Sequence, residues 1–340
     1  MNKTKAGKRS QKRILSRRTN TLWRLGALAA LWLIVFGRGC VYRPKSNHPG
    51  AYFNKGSNAA WLGVEWVSQP RRADEVVVLA MDLAERQITT VYVYASYYKP
   101  EGVFSPTYAY AEEFVATLKG LAPDLVVQAW IGLPLGTMNL DNRAIRREVV
   151  DFCVALMQDA GFDGLHVDPE PVKDGDASVL ALLDEMRQAL DPEVVLSVAG
   201  RRIWPIFPTM RWPLVGQWSW RTSYYQKLAR RVDEIAVMVY DSAMPTSGLY
   251  RYWTKFQVIA LSRALVYSDV RLFIGIPASE EVTSTHKPVA ENMHSGLRGT
   301  IDGLNDWATW TNVVTGVAVY PYWETDVREW EIYQSLWLGE

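Results

Sequence analysis

Residues 163–172 read DGLHVDPEPV, and the alternation within this stretch decides the fold. In an extended chain Leu165 and Val167 share one face, while His166, Asp168 and Glu170 share the other. Ionisable groups aligned on a buried face need one another or water as partners. A closed barrel supplies both, because its inward-facing residues lead up to a solvated mouth at the C-terminal ends of the strands.

Working outward, seven further runs rich in Val, Ile and aromatics read as strands: AWLGVEWV (60–67), TTVYVYASYY (89–98), DLVVQAWIGL (124–133), EVVLSVAG (193–200), EIAVMVYD (234–241), RLFIGIPA (271–278) and GVAVYPYW (316–323). Helical periodicity fills the intervals at 73–86, 110–121, 142–160, 177–190 and 252–267, with a terminal segment at 324–338. Asp191-Pro192 stops the fourth of these helices, and Gly161 stands just past the third as a C-cap. Eight such units predict an α/β fold, a single (β/α)8 barrel over residues 59–340. No GxGxxG and no P-loop is present to favour an open doubly wound sheet. The barrel is predicted to be the fourth segment of the chain.

Ahead of it lie a basic arm (1–24), an apolar segment (25–37, LGALAALWLIVFG) and a linker (38–58). Nine of the first 24 residues are Lys or Arg, so the formal net charge of +1 conceals an acidic remainder. No nucleic acid is expected as a partner. Basic arm and apolar run follow the order of a secretory signal or signal-anchor. The apolar run is short against the roughly 20 residues that span a bilayer, unless Leu22 and Trp23 extend it while Arg24 snorkels. The expectation is a membrane anchor with the barrel on the exported, periplasmic or extracellular side, since positive charge stays inside. Gly39-Cys40 also leaves lipidation at Cys40 open. Residues 1–58 are then expected to add nothing to the barrel core. With only two cysteines, a disulfide framework is excluded, and Cys153 is read as a buried small hydrophobe. Fifteen Trp and 17 Tyr suit the stacking of sugar rings as well as core packing.

The fourth-strand run resembles the D-x-x-D-x-D-x-E signature of glycoside hydrolase family 18, the chitinase-like barrels. Asp163, Asp168 and Glu170 match it, and His166 stands where the family has a further Asp. Met238-Val239-Tyr240-Asp241 is similar to the family's M-x-Y-D sixth strand, and Gly275-Ile276-Pro277 to its seventh. At the eighth strand Gly316 is followed by Tyr320 and then Trp323, where the family carries a Trp. The resemblance implies a glycosidase acting on an N-acetylhexosamine-containing polysaccharide through substrate-assisted, retaining catalysis. Glu170 would be the acid, Asp168 would hold the acetamide N–H, and Tyr240 would bond its carbonyl. Asp163, His166, Asp241, Tyr320 and Trp323 are the expected substrate-binding residues, with His166 able to donate to Asp168 as a neutral ring or to lower its pKa as a protonated one. No metal and no cofactor is implied.

Other chemistries stay open on the sequence alone. A two-carboxylate retaining enzyme would pair Glu170 with Glu280 or Glu281 after the seventh strand. A barrel that binds carbohydrate without turnover would use the same residues. His166, Asp168 and Glu170 as metal ligands fit poorly, since His48, His286 and His294 show no paired ligand spacing. The stretch 201–221, with Trp204, Trp212, Trp218 and Trp220, reads as a cleft wall or as a cover over the barrel.

Overall fold

The computed structural model describes residues 46–204 and 219–340. The basic arm, the apolar segment, Cys40, Trp212 and Trp218 lie outside the described residues. Among those described, no helix is long and apolar enough to cross a membrane.

Eight strands form: β1 (Asn58–Leu62), β2 (Ile88–Tyr97), β3 (Val126–Pro134), β4 (Gly164–Glu170), β5 (Val195–Arg201), β6 (Glu234–Met238), β7 (Arg271–Pro277) and β8 (Val314–Tyr320). Each pairs in parallel with the next, and β8 closes on β1, so the sheet is a barrel without edges. Around it run α1 (Gly50–Phe53), α2 (Glu65–Ser68), α3 (Ala73–Glu85), α4 (Ala111–Leu121), α5 (Arg143–Ala160), α6 (Ala177–Ala189), α7 (Thr222–Leu228), α8 (Ser247–Ala264), α9 (Met293–Leu304) and α10 (Val327–Tyr333). The two faces of each strand divide as the alternation predicts. Leu165 and Val167 join the large apolar layer between strands and helices. Ala59, Trp61, Tyr92, Trp130, Ala236, Phe273 and Ala318 form a separate cluster inside the barrel.

Several local signals hold. Gly161 ends α5 in a left-handed conformation (φ 69°), its N–H returning to the Met157 carbonyl at 3.2 Å. Cys153 is buried and free, and burial pushes its thiol up to about 12. Others do not hold. The first strand ends at Leu62, and Glu65–Ser68 turns into α2, where Trp66 takes the Arg71 guanidinium over its ring at 4.9 Å. Helix α9, which the sequence reading passed over, buries Met293, Leu297, Ile301 and Leu304 and carries glycines on the face that meets α8. A Cβ at Gly299 would lie 2.6 Å from the Arg251 carbonyl, and one at Gly303 2.6 Å from Val258 Cβ. Close helix approach, not apolar bulk, fixes this contact.

The end of the predicted linker is also corrected, because residues 46–58 belong to the barrel. Ser46 donates through N and Oγ to Asn305 at 3.1 and 2.7 Å, the His48 N–H reaches Asn305 Oδ1 at 2.8 Å, and Asn305 Nδ2 returns to the His48 carbonyl at 2.9 Å. Phe53 is buried in the outer apolar layer, and Lys55 Nζ caps the Val314 carbonyl at 2.6 Å. Polar, glycine-containing sequence hid a segment whose bonds are made mostly by backbone and side-chain amides. A chain beginning at Ser57 should therefore be about 3 kcal/mol less stable to urea than one beginning at Ser46. Equal unfolding midpoints for the two would return the segment to a linker.

Candidate active site

The inward face of the barrel is built from below. Glu234, fully buried at the start of β6, accepts from Tyr92 Oη at 2.5 Å and Gln128 Nε2 at 3.0 Å, and its other oxygen meets Arg271 Nη2 at 2.9 Å. Burial raises its pKa, opposed by Arg271 and the two donors. Gln128 Oε1 accepts from Ser197 Oγ at 2.6 Å, and Ser197 Oγ lies 2.7 Å from His166 Nδ1. His166 Nε2 receives the Trp61 indole N–H at 3.2 Å. An indole only donates, so His166 Nε2 carries no proton and Nδ1–H donates to Ser197. Burial pushes the His166 pKa down to about 3, leaving a neutral ring stacked on Tyr92 with centroids 3.9 Å apart.

Two predicted substrate residues are thereby corrected. His166 faces inward as alternation requires, but it is fully buried below the mouth with both ring nitrogens engaged, so it neither donates to Asp168 nor joins a metal site. Asp163 sits at the opposite end of β4. Its Oδ2 accepts from the Val127 N–H at 2.8 Å and from Lys119 Nζ at 3.0 Å, tying β4 to β3. Asp233, just before β6, takes the Leu196 N–H and Arg187 in the same way, at 2.8 and 2.6 Å.

One step up β4 lies Asp168. Trp130 donates to its Oδ2 at 3.1 Å, while Oδ1 is buried with no hydrogen-bond partner among the described residues. Burial pushes Asp168 up to about 8, Glu170 adds to the rise, and Trp130 and Arg201 oppose it. Glu170, the last residue of β4, opens to solvent at the mouth, yet the surrounding wall strips enough water to raise its pKa as well. Arg201 and Arg202 pull it back, and Asp241 pushes it further up.

Aromatic rings line this mouth. Tyr240 is buried just beyond β6 and stacks on Tyr320 with centroids 5.0 Å apart and planes 7° from parallel. Tyr320 meets Trp61, Trp130 and Trp323 edge-on at 5.7, 6.3 and 5.9 Å. Trp323 is 44% exposed, the outermost of the set. Tyr94 stands against Trp130 at 4.6 Å, its hydroxyl pushed up to about 12 by burial and by Asp168. Asp241 turns the chain out of the barrel in a left-handed conformation (φ 54°) that Asp tolerates better than most residues. Its pKa is raised by burial, against the pull of His286.

The structure thus gathers Asp168, Glu170, Tyr240, Asp241, Tyr320 and Trp323 at one barrel end and removes Asp163 and His166. Glu280 and Glu281 lie exposed in the loop after β7, where the Glu280 N–H bonds Glu324 at 3.1 Å, and neither is among the principal charges acting on Glu170. Sequence reading missed Arg201 and Arg202, although a charged pair ending a barrel strand was a usable signal. It also missed Trp130, whose inward place beside His166 in the register lifts its indole N–H to Asp168. Of the aromatic stretch, Trp220 is buried and donates to the Val172 carbonyl at 3.2 Å, so this ring packs against the loop after β4 and does not line the mouth.

No protein-family model matches the chain, and no curated protein is similar to it in sequence. Solved structures are similar. The spore cortex-lytic enzyme SleL of Bacillus cereus aligns over 82% of this chain and 74% of its own, with a TM-score of 0.55 at 11% identity. The group IV chitinase of Ostrinia furnacalis aligns over 83% and 99%, with 0.55 at 15%. A glycoside hydrolase family 18 chitinase of Cycas revoluta in complex with (GlcNAc)3 aligns over 83% and 98%, with 0.54 at 15%. At these identities the likeness is one of fold: the chain shares its (β/α)8 barrel with these enzymes.

Proposed function

We propose that this chain is a glycoside hydrolase that cleaves an N-acetylhexosamine-containing polysaccharide by substrate-assisted, retaining catalysis. The observation that carries the reading is Asp168 Oδ1, a buried acceptor without a partner among the described residues, beside a second carboxyl with a raised pKa in an aromatic mouth. An unsatisfied buried acceptor costs about 1–3 kcal/mol, which a ligand N–H recovers on binding. A sugar acetamide is such a donor.

Asp168 and Glu170 cannot easily both ionise, so near neutral pH the pair holds one proton, and burial draws it toward Asp168 in the free site. An acetamide N–H donated to Asp168 Oδ1 favours the ionised form there and sends the proton to Glu170. Glu170 then protonates the glycosidic oxygen as the acetamide oxygen attacks the anomeric carbon, giving an oxazolinium intermediate and no protein nucleophile. Tyr240 bonds the acetamide carbonyl, Asp241 takes a sugar hydroxyl, and Tyr320 with Trp323 gives the ring a stacking surface. A neighbour of this fold, the Cycas revoluta chitinase in complex with (GlcNAc)3, supports a carbohydrate ligand. The basic-then-apolar N-terminus supports a membrane-anchored enzyme working on the exported side, on a polymer of the envelope or beyond it. A C-terminal reporter active only outside the cytoplasm should then function, and activity of a cytoplasmic reporter alone would overturn the topology.

Glu170→Gln should abolish most turnover and spare glycan binding. Asp168→Asn and Tyr240→Phe should each lower kcat on the order of 10²-fold. A thiazoline mimic of the cyclised acetamide should inhibit, and Glu280 or Glu281 substitutions should matter little. Binding unaccompanied by turnover in the wild type would make the barrel a lectin-like protein. Loss of activity in a Glu280 or Glu281 variant equal to that of Glu170→Gln, with Tyr240→Phe near wild type, would show a protein nucleophile.

The pH profile has a fixed sign. Since raised pKa values keep one proton on the pair up to about 8, kcat/KM should fall roughly tenfold per unit above that pH as the acid is lost. In Asp168→Asn the neighbouring charge is gone, so this limb should move to lower pH. A limb that stays in place would assign the titration to another group.

A further inference from the structure

We propose that His286 is a positioning residue which, as an imidazolium bridging Asp241 and Glu291, fixes the Asp241 carboxylate at the barrel mouth to receive a substrate hydroxyl. The inference takes its substrate from the glycosidase reading, whereas the protonation state it requires is independent of that reading.

Three separate pieces of chain meet here: Asp241 beyond β6, His286 in the loop after β7, and Glu291 just before α9. The Ala243 N–H to the Thr285 carbonyl, at 2.8 Å, joins the first two loops. His286 Nε2 lies 3.0 Å from the Ser279 carbonyl, which only accepts, so Nε2 carries a proton. Nδ1 faces Glu291 Oε2 at 3.4 Å and Asp241 Oδ1 at 3.7 Å. A neutral ring would turn a lone pair on two carboxylates. Protonation at Nδ1 makes both contacts attractive.

Glu291 is held from the other side. Ser242 donates to its Oε1 through N at 3.0 Å and through Oγ at 2.5 Å, leaving Oε2 for the ring. His286 and Glu291 are 4% and 0% exposed, so the bridge is shielded and little screened. The charged and titratable groups around it are Arg202, acting on both carboxylates, Glu281, acting on Asp241, and Tyr250, buried beside Glu291 and Asp241. The buried Glu291 and the half-exposed Asp241 share Arg202 as the cation acting on both among the described residues, which leaves net negative charge around the ring. An imidazolium offsets part of that charge. In keeping with this, the His286 pKa is raised although its burial acts to lower it. Asp241 is half-exposed, and with Oδ1 turned to His286 its Oδ2 is the oxygen left for a ligand.

A folded pKa above the ordinary value means that the bridge is complete below that ordinary value and is lost as pH rises through the folded one. Full-length protein with 13C-labelled histidine gives four ring signals, and His286→Gln identifies the one from this site. That signal should titrate above about 6.5, and Glu291→Gln should lower its midpoint by about a unit. Steady-state kinetics on an N-acetylhexosamine oligomer should show KM rising about tenfold across the same titration, with kcat changing less. In His286→Gln, KM should be raised at every pH and flat through that window. A ring that titrates at or below about 6.5, or a KM profile unaltered in His286→Gln, overturns the proposal. So does one equivalent of a divalent metal in the purified protein, since Asp241, His286 and Glu291 place their ligand atoms within 4.8 Å of one another. If no glycan is bound or cleaved, the glycosidase reading fails, and the ring titration alone still decides the bridge.

Discussion

Glu234 has no route to solvent, and the inside of this barrel is organised by the need to pair it. Its carboxylate takes the Tyr92 hydroxyl and the Gln128 amide N–H, which orients the Gln128 carbonyl toward Ser197. Ser197 spends its own proton on that carbonyl and must therefore accept from His166, whose far nitrogen is then an acceptor for Trp61. Each step has one solution because every group in it has a fixed number of donors and acceptors. The outcome is a rigid floor that crosses the barrel from β7 to β1, on which the Trp130 and Tyr320 layer rests. A floor with a single tautomer is what allows the groups one layer above to be held in fixed positions.

The same accounting explains how much of the site was legible in the sequence. Parity was readable: residues 166, 168 and 170 face inward because they alternate, and 163 does not share their parity. Depth was not readable. His166 and Asp168 are two residues apart on one face, yet one lies beneath the water line and the other at it, a difference set by where neighbouring strands place Trp61, Trp130 and Tyr320. Tyr240 and Asp241 were legible through the resemblance of Met238-Val239-Tyr240-Asp241 to a known strand ending. His286 and Glu291 were not, since they reach the mouth only through the folding of the loop between β7 and α9, which carries no periodicity. The barrel itself emerged from strand counting, while the segment at 46–57 was hidden because amide hydrogen bonds hold it in place of apolar repeats.

His166 is where this chain departs most from the pattern it resembles, and the departure has an electrostatic consequence. A carboxylate at that depth would stand under Asp168 as a further negative charge and would give it a partner with which to share a proton. A neutral His166 committed to Ser197 and Trp61 does neither, so Asp168 keeps Trp130 as its hydrogen-bond donor and leaves Oδ1 unpartnered. Control of its ionisation then passes to groups above it: Glu170 raises its pKa and Arg201 lowers it. Arg201 also opposes the rise in Glu170, which makes one guanidinium at the end of β5 common to both carboxyls. The mouth therefore balances its charge laterally, with Arg201 at the end of β5 and Arg202 just past it acting on Asp168 and Glu170 from β4 and on Asp241 beyond β6. That arrangement frees the floor to be uncharged around His166, and it makes the protonation of Asp168 responsive to whatever enters the mouth.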